Sequence, residues 1–195
     1  VATLEQAFHA TPPDLEAGRD LAEAYVRMHR ATDAEAVLQR LAEAEPGDIA
    51  TLVALERART QRGDLEGASE TLRRLAEADP RRARDWYQRL AQHALALHHD
   101  AEALDYAARV VQLNPDDATG HLRLGELYRA RNDVPQAIAS FRRALALNDR
   151  LYPTYFQLAD LYLGRGDARD AVDLYRRVVQ LAPDDELVAR AGHHA

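Results

Sequence analysis

The sequence predicts an all-α protein made of stacked antiparallel helical hairpins, and two observations support this fold class. Prolines and apolar columns recur at an almost constant interval along the 195 residues. Hydrophobic residues make up 47% of the chain and are mostly Ala and Leu, whereas Gly, Phe and Trp number only nine, three and one. Such a composition favours helices over strands. We therefore expect helices along the whole chain.

The first observation is a repeat of about 34 residues. Pro46, Pro80 and Pro115 lie 34 and 35 residues apart, and Pro183 follows 68 residues later, which is two further intervals. Each of these prolines removes a backbone donor and is expected to end the second helix of a hairpin. A fixed period of this length is typical of a helical repeat array.

This period divides residues 1–195 into a single array. Residues 1–14 fit the second helix of a preceding unit and form a half repeat, and residues 186–195 begin a C-terminal helix or a cap. Because the chain starts at Val1 and its one Met is Met28, we expect the natural N-terminus to lie upstream. The five full repeats are 15–48, 49–82, 84–117, 118–151 and 152–185, with Ala83 as a one-residue insertion.

Two residue columns indicate how the helices of a repeat pack. A large apolar residue recurs in the first helix and a small one in the second, as close packing requires, because each protruding side chain needs a gap on the facing helix. The Leu column comprises Leu21, Leu55, Leu90, Leu124 and Leu158. The Ala column comprises Ala34, Ala68, Ala103, Ala137 and Ala171.

The turn between paired helices has a column of its own. Gly63, Asn132 and Gly166 occupy it, and these residue types adopt a left-handed backbone at the lowest cost. His29 and His98 stand in the same column, and His is among the side chains that tolerate positive φ. An Asp follows in three repeats and is predicted to cap the second helix. These residues are Asp64, Asp133 and Asp167.

Over residues 15–185 the chain resembles the tetratricopeptide repeat family. That family repeats a pattern of aromatic, Leu, Gly, Tyr, Ala, aromatic, Ala and Pro positions. The last repeat matches it at Tyr155, Leu158, Ala159, Tyr162, Ala171, Tyr175, Val178 and Pro183, and the fourth at Leu124, Gly125, Tyr128, Ala137, Phe141 and Ala144. The resemblance implies a right-handed α-solenoid whose first helices line a concave groove.

Two repeats depart from the family pattern. Glu56 stands where a small residue is expected and Arg59 where a Tyr is expected. Because buried charges are costly when they are not compensated, we expect these two side chains to pair with each other or Arg59 to extend its head to solvent. In the next repeat, Ala94 and Ala107 occupy aromatic positions. The aromatic residues predicted to fill the missing volume are Trp86 and Tyr87.

Charge and composition argue against several other classes of protein. The formal net charge is −7, whereas a protein that binds phosphate backbones carries a basic excess, so we expect no nucleic-acid partner. All 25 basic residues are Arg, which indicates a GC-rich bacterial genome. With no Cys, a thiolate zinc site and a cysteine nucleophile are excluded, and no apolar run is long enough to span a membrane. The compartment stays open, with the cytoplasm favoured.

No metal, cofactor or catalytic site is predicted. The pairs His98-His99 and His193-His194 are adjacent in sequence, whereas two ligands on one helix face need a three- or four-residue spacing. Ser69 lies on a second helix without the glycines of a nucleophile elbow, and no glycine-rich phosphate loop is present. We therefore expect a protein that is not an enzyme.

The resemblance directs the search for a binding site to the groove. Arg89 and Arg123, one repeat apart, suit a carboxylate, and an exposed Phe156 beside Leu122 would bind an apolar anchor, so we expect a peptide with an acidic segment. The Lys and Asn residues of two known family specialisations, a chaperone-tail clamp and an asparagine ladder, are missing. The predicted groove residues are Arg57, Gln88, Arg89, Gln92, Leu122, Arg123, Glu126, Phe156, Gln157 and Asp160, with Arg19, Glu23 and Val53 on the same face.

Three functions fit the sequence. The first is a non-enzymatic scaffold that binds a peptide or protein segment in the groove. The second is a regulatory or substrate-presenting segment of a larger enzyme or of a secretion or assembly machine. The third is a self-assembly module whose apolar open ends pair between chains.

Overall fold

The computed structural model describes residues 1–10 and 14–181, and within them the chain is helical without a β-strand. The prediction of an all-α protein is confirmed. A 3₁₀ helix, Pro80–Arg82, joins two of the α-helices. The α-helices are α1 (Ala2–Phe8), α2 (Leu15–Arg27), α3 (Ala31–Ala44), α4 (Ile49–Gln61), α5 (Leu65–Ala78), α6 (Ala83–Ala96), α7 (Asp100–Leu113), α8 (Ala118–Ala130), α9 (Val134–Leu147), α10 (Tyr152–Arg165) and α11 (Ala168–Leu181).

Successive helices form hairpins, in which we call α2, α4, α6, α8 and α10 the first helices. The packed pairs are α2 with α3, α4 with α5, α8 with α9, and α10 with α11. Five turns have a left-handed residue at the predicted column: His29, Gly63, His98, Asn132 and Gly166, with φ between 57° and 86°. The N–H of the residue that follows reaches back to the first helix, as Asp64 N does to Arg59 O over 2.9 Å. The turn prediction is confirmed.

Aspartates cap helices at both positions of the hairpin. The N–H of Gly67 donates to Asp64 Oδ1 over 2.9 Å at the start of α5, and the N–H of Gln136 donates to Asp133 over 3.4 Å at the start of α9. Asp14, Asp48 and Asp117 do the same for first helices. Each carboxylate satisfies a backbone donor that the first turn of a helix leaves unpaired.

Both packing columns are buried. The five residues of the Leu column expose 0 to 9% of their surface, and the five of the Ala column expose none. Two glycines of first helices also lie in close contact with aromatic rings. A Cβ built on Gly125 of α8 would lie 2.6 Å from the Phe141 ring of α9. A Cβ built on Gly18 of α2 would lie 2.6 Å from the Phe8 ring of α1. Aromatic rings therefore pack directly on helix backbone at these two positions.

The chain divides into two compact units, Val1–Tyr106 and Ala107–Ala195, with the boundary inside α7. The single-array organisation and its repeat limits stay a prediction. In the first unit, Phe8, Leu21, Leu41, Leu52, Leu55, Leu72, Leu75, Trp86 and Leu90 form the centre of the core. In the second unit, Ile138, Phe141, Tyr155, Leu158, Tyr175 and Val178 do so.

The third repeat contains the aromatic residues Trp86 and Tyr87 and the inserted residue Ala83, and it follows a 3₁₀ helix that begins at Pro80. Trp86 is buried, and the ring of Tyr87 stacks on that of Tyr106 with centroids 6.1 Å apart, so these aromatics fill volume as predicted. Ala83, which the period sets apart as an insertion, is buried and begins α6. The 3₁₀ helix Pro80–Arg82 directly precedes it, at the junction where the additional residue falls.

The chain ends bear on two expectations. The half repeat predicted at residues 1–14 contains α1, in which Phe8 is almost fully buried. Pro12, Pro183 and the expected C-terminal helix or cap at 186–195 lie outside the described residues. Within the described ranges, no helix combines the length and the apolar character that crossing a membrane requires.

Two leucines of α10 allow a matched test of the core assignment. Leu158 is 1% exposed and Leu163 is 47% exposed. We expect Leu158→Ala to lower the free energy of unfolding by about 2–5 kcal/mol, because it leaves a cavity, and Leu163→Ala to change it by about 0.5 kcal/mol or less. Urea unfolding followed by circular dichroism measures both. Equal effects of the two substitutions would show that the buried face of α10 is assigned wrongly.

Candidate functional site

The ten predicted groove residues all lie on first helices. The first unit carries Arg57 on α4 and Gln88, Arg89 and Gln92 on α6. The second unit carries Leu122, Arg123 and Glu126 on α8 and Phe156, Gln157 and Asp160 on α10. Their surroundings differ between the two units.

In the first unit, a pocket of about 380 Å³ opens between α2 and α4. Both helices pack on α3, whose buried Leu38 lies at the bottom of the pocket. Small side chains at the helix faces leave the space open. The other lining residues are Arg19, Ala22, Glu23 and Val26 of α2 and Ala50, Thr51, Ala54, Arg57, Ala58 and Gln61 of α4.

The charged residues of this pocket are not equivalent. The Arg19 guanidinium bonds to the Glu45 carboxylate and lies 3.7 Å from that of Asp48. Glu23 pairs with Arg27 of its own helix over 3.4 Å. Arg57 is exposed and forms no ion pair with any side chain in the described part of the chain. The pocket therefore combines an apolar floor with one uncompensated positive charge.

Glu56, which was expected to face Arg59, instead pairs with Arg89. Glu56 is 0% exposed; its Oε1 accepts a hydrogen bond from the Arg89 guanidinium and another from the Thr60 hydroxyl over 2.9 Å. Its Oε2 is buried without a hydrogen-bond partner. This contact joins α4 to α6, and it means that Arg89 already holds a carboxylate from its own chain.

Arg59 also departs from the expectation, since it neither meets Glu56 nor extends to solvent. Its side chain is 15% exposed and lies among polar groups of α3 and α5. The guanidinium donates to Glu35 over 3.2 Å, Gln39 over 2.7 Å and the Thr71 hydroxyl over 2.9 Å. The volume that a Tyr would occupy is thus filled by a cation whose polar partners come from α3 and α5.

His93 of α6 completes the polar residues beneath the predicted groove. It is 8% exposed, and its Nδ1 lies 3.3 Å from the Ser69 hydroxyl, which donates to the Leu65 carbonyl over 2.7 Å. Burial lowers the pKa of His93; the Glu56 carboxylate acts in the opposite direction and the Arg89 guanidinium in the same one. Because Ser69 is itself buried and its proton is engaged, this Ser–His contact is structural.

In the second unit, the groove residues of α8 and α10 meet directly. Gln157 Nε2 donates to Glu126 Oε1 over 3.3 Å, while Gln157 Oε1 is buried without a partner. Arg123 and Asp160 are exposed, and Arg123 forms no ion pair within the described residues. This face therefore carries one cation, Arg123, and two carboxylates, those of Glu126 and Asp160, without an ion pair among the described residues.

The expectation of an exposed Phe156 is wrong. Phe156 and Leu122 are half-buried and pack against the core of the second unit. The Phe156 ring lies at a tilt of 42° to the ring of Tyr175, with centroids 6.0 Å apart. Because the Phe156 ring contacts Tyr175 of α11 and packs against the core, Phe156 offers only part of its surface to a partner.

The sequence prediction did not include most of the residues that line the pocket. It also did not include the polar contacts that Arg59, Ser69 and His93 make. The pocket could have been found from the three- and four-residue steps that place Ala22 and Val26 on the face of Arg19, and Ala54 and Ala58 on the face of Arg57. The sequence shows that Glu56 departs from the family pattern, but no residue of its own repeat indicates that its partner is Arg89. Within the described part of the chain, no group of three His, Asp or Glu residues is arranged to hold a metal ion.

Comparison of the sequence with family models found two matches. A model described as tetratricopeptide repeat matches residues 1–56 and 129–191, which is more than half of the chain. A second model of the same description matches residues 88–155. No curated protein matches the sequence.

Solved structures with a similar fold include MamA from Desulfovibrio magneticus RS-1, with a TM-score of 0.60, 19% identity and coverage of 88% of this chain and 97% of that chain. YrrB, described as a TPR protein with an unusual peptide-binding site, has a TM-score of 0.63, 14% identity and 97% coverage of both chains. TTC0263 from Thermus thermophilus has a TM-score of 0.51, 26% identity and 92% and 98% coverage. The predicted class, an all-α right-handed solenoid of helical hairpins, is confirmed.

The burial of His93 predicts a pH dependence of stability. Since its folded pKa lies below the ordinary value of 6.5, the unfolded chain binds more protons at this position when the pH falls below 6.5. The stabilisation from a neutral His93 is therefore complete above pH 6.5 and is lost as the pH falls through the folded pKa. We expect His93→Gln to lose less stability than the unsubstituted chain between about pH 7.5 and 5, measured by urea unfolding.

Identical pH profiles for His93→Gln and the unsubstituted chain would contradict the assignment of a buried neutral imidazole.

Proposed function

This chain belongs to the tetratricopeptide repeat family, and from that premise we propose that it is a non-enzymatic scaffold that binds a peptide or protein segment in the groove lined by its first helices. One observation carries the proposal. On both units, the first helices expose polar and half-buried apolar side chains whose positions are fixed by packing beneath them. Such a surface can bind a segment without a prior ordering of its own side chains.

Fixed side chains support binding because a partner then loses less free energy to ordering. Gln157 is held against Glu126, and Arg89 is held against Glu56. Gln88 and Gln157 are each half-buried at the base of the face, so their side chains have restricted freedom. On binding, most of the loss of conformational entropy therefore comes from the segment and not from this protein.

Two cations of the face support contacts with acidic residues of a segment, next to the exposed carboxylates of Glu126 and Asp160. Arg57 and Arg123 are exposed without an ion pair in the described chain, although the sequence has an acidic excess. A carboxylate accepts two parallel hydrogen bonds from a guanidinium, which makes such pairs directional. YrrB, which shares the fold, is described as having a peptide-binding site, and this supports the same use of the fold here.

The chemistry of the described residues supports a scaffold rather than an enzyme. The contact between Ser69 and His93 lies in the interior, and the Ser69 proton is donated to a backbone carbonyl. A nucleophile must reach its substrate and be activated by its base. Neither condition is met by this pair.

An exchange of charge at Arg123 tests the scaffold function. A partner is first isolated with the unsubstituted chain as bait, and its dissociation constant is then measured by titration calorimetry. We expect Arg123→Glu to weaken binding by about 10- to 100-fold, because a charge-assisted hydrogen bond is lost and a repulsion is added.

The matched control is Arg142→Glu, which makes the same exchange at an exposed position of α9, a second helix. Its dissociation constant should stay within about twofold of that of the unsubstituted chain. Equal weakening by both variants, or by neither, would contradict binding on the first helices. A mass that rises with concentration in light scattering, with no other protein bound, would support self-assembly instead.

A further inference from the structure

We propose that the pocket between α2 and α4 holds an aliphatic side chain of the bound segment, while Arg57 pairs with a carboxylate two residues away along that segment. This inference rests on the proposed function, since it names the part of a partner that this site recognises. It is carried by the size of the pocket, its apolar lining and the state of its charges.

The size of the pocket suits a short extended segment. Its volume of about 380 Å³ lies at the lower end of the range for ligand pockets, about 300–1,000 Å³. Along α2 it extends from Arg19 to Val26, a rise of about 10 Å at 1.5 Å per residue. An extended peptide covers that length with about three residues.

The lining of the pocket selects an aliphatic group. Leu38 at its bottom is 4% exposed, and Ala22 and Ala58 beside it are 3% and 4% exposed, so the floor is closed and apolar. Val26 at one end is 48% exposed, which leaves an apolar side chain in water. A methyl-bearing side chain placed here would remove apolar surface from water on both molecules.

The charges around the pocket select a carboxylate next to that group. Arg19 is neutralised by Glu45 and Asp48, and Glu23 is paired with Arg27. Arg57 remains as the cation without a partner in the described residues. A guanidinium binds a carboxylate through two parallel hydrogen bonds, whereas an ammonium group would be repelled at this position.

The spacing between the two groups follows from the backbone of an extended segment. Successive side chains point to opposite sides, so residues i and i+2 face the same surface. An aliphatic residue at i and a Glu or Asp at i+2 therefore reach the pocket and its rim together. The occupant is a segment of another protein with this spacing, in an extended conformation.

The experiment uses the synthetic peptide acetyl-Ser-Leu-Ser-Glu-Ser-amide as the probe and the full isotopically labelled chain in an NMR titration. We expect millimolar binding, with shifts at the lining residues. Replacing Glu of the probe by Gln, or Arg57→Gln in the protein, should weaken binding by about tenfold, and the two changes together should cost little more than either alone. Replacing Leu of the probe by Ser should also weaken it.

Two further variants serve as controls. Arg142→Gln removes an exposed cation from α9 and should leave the affinity for the probe unchanged. Ala54→Leu fills the pocket and should abolish binding; its circular dichroism spectrum and that of Arg57→Gln establish that the helices are retained. Undiminished binding to Arg57→Gln, no binding at millimolar concentration, or shifts that map to self-association of the chain would each overturn the proposal.

The outcomes separate this inference from the proposed function. If Arg123→Glu weakens the native partner while Arg57→Gln leaves the probe unaffected, the scaffold function stands and the pocket assignment fails. If the probe binds through Arg57 while Arg123→Glu and Arg57→Gln both leave the native partner unaffected, the pocket accepts the chemistry of the probe, but the native partner does not use it, and both the inference and the groove function are overturned.

Discussion

The close packing of paired helices at a column of buried alanines is the constraint on which the rest of this structure depends. Ala34, Ala68, Ala103, Ala137 and Ala171 have no exposed surface, and the residues of the Leu column are almost as fully buried. Because protein interiors are packed as densely as organic crystals, the methyl groups leave no room for a longer side chain. Because second helices pack on first helices, we infer that this burial holds the first helices in place, and with them the side chains of the proposed binding face.

In addition to the alanine column, the first unit buries charged side chains between its helices. Glu56 reaches Arg89 of the next hairpin, and Arg59 is held by Glu35 of the preceding one. Each pair offsets part of the desolvation cost of its charges by contacts between repeats, and removing one partner alone would leave a buried charge uncompensated. The same pairing leaves Arg57 as the cation on this part of the face that is available to a ligand, and this connects the interior to the proposed site.

Features that depend on position within a repeat could be predicted from the sequence, whereas those that depend on contacts between repeats could not. The Leu and Ala columns and the positive φ of His29 and His98 follow from local rules. The partner of Glu56 lies 33 residues away and the Tyr175 ring over Phe156 belongs to another helix, so neither is visible in one repeat. The pocket forms where small residues of α2 and small residues of α4 line the same space. The sequence pattern of one helix alone does not show this.

The central claim is that the buried alanine column sets the helix packing, and a comparison of two Ala→Leu variants of α9 tests it most directly. Ala137 is 0% exposed, and Ala146 on the same helix is exposed. In urea unfolding, Ala137→Leu should lower the free energy of unfolding by about 1–3 kcal/mol or more through overpacking, and Ala146→Leu should change it by about 0.5 kcal/mol or less. Equal stability of the two variants would contradict the claim.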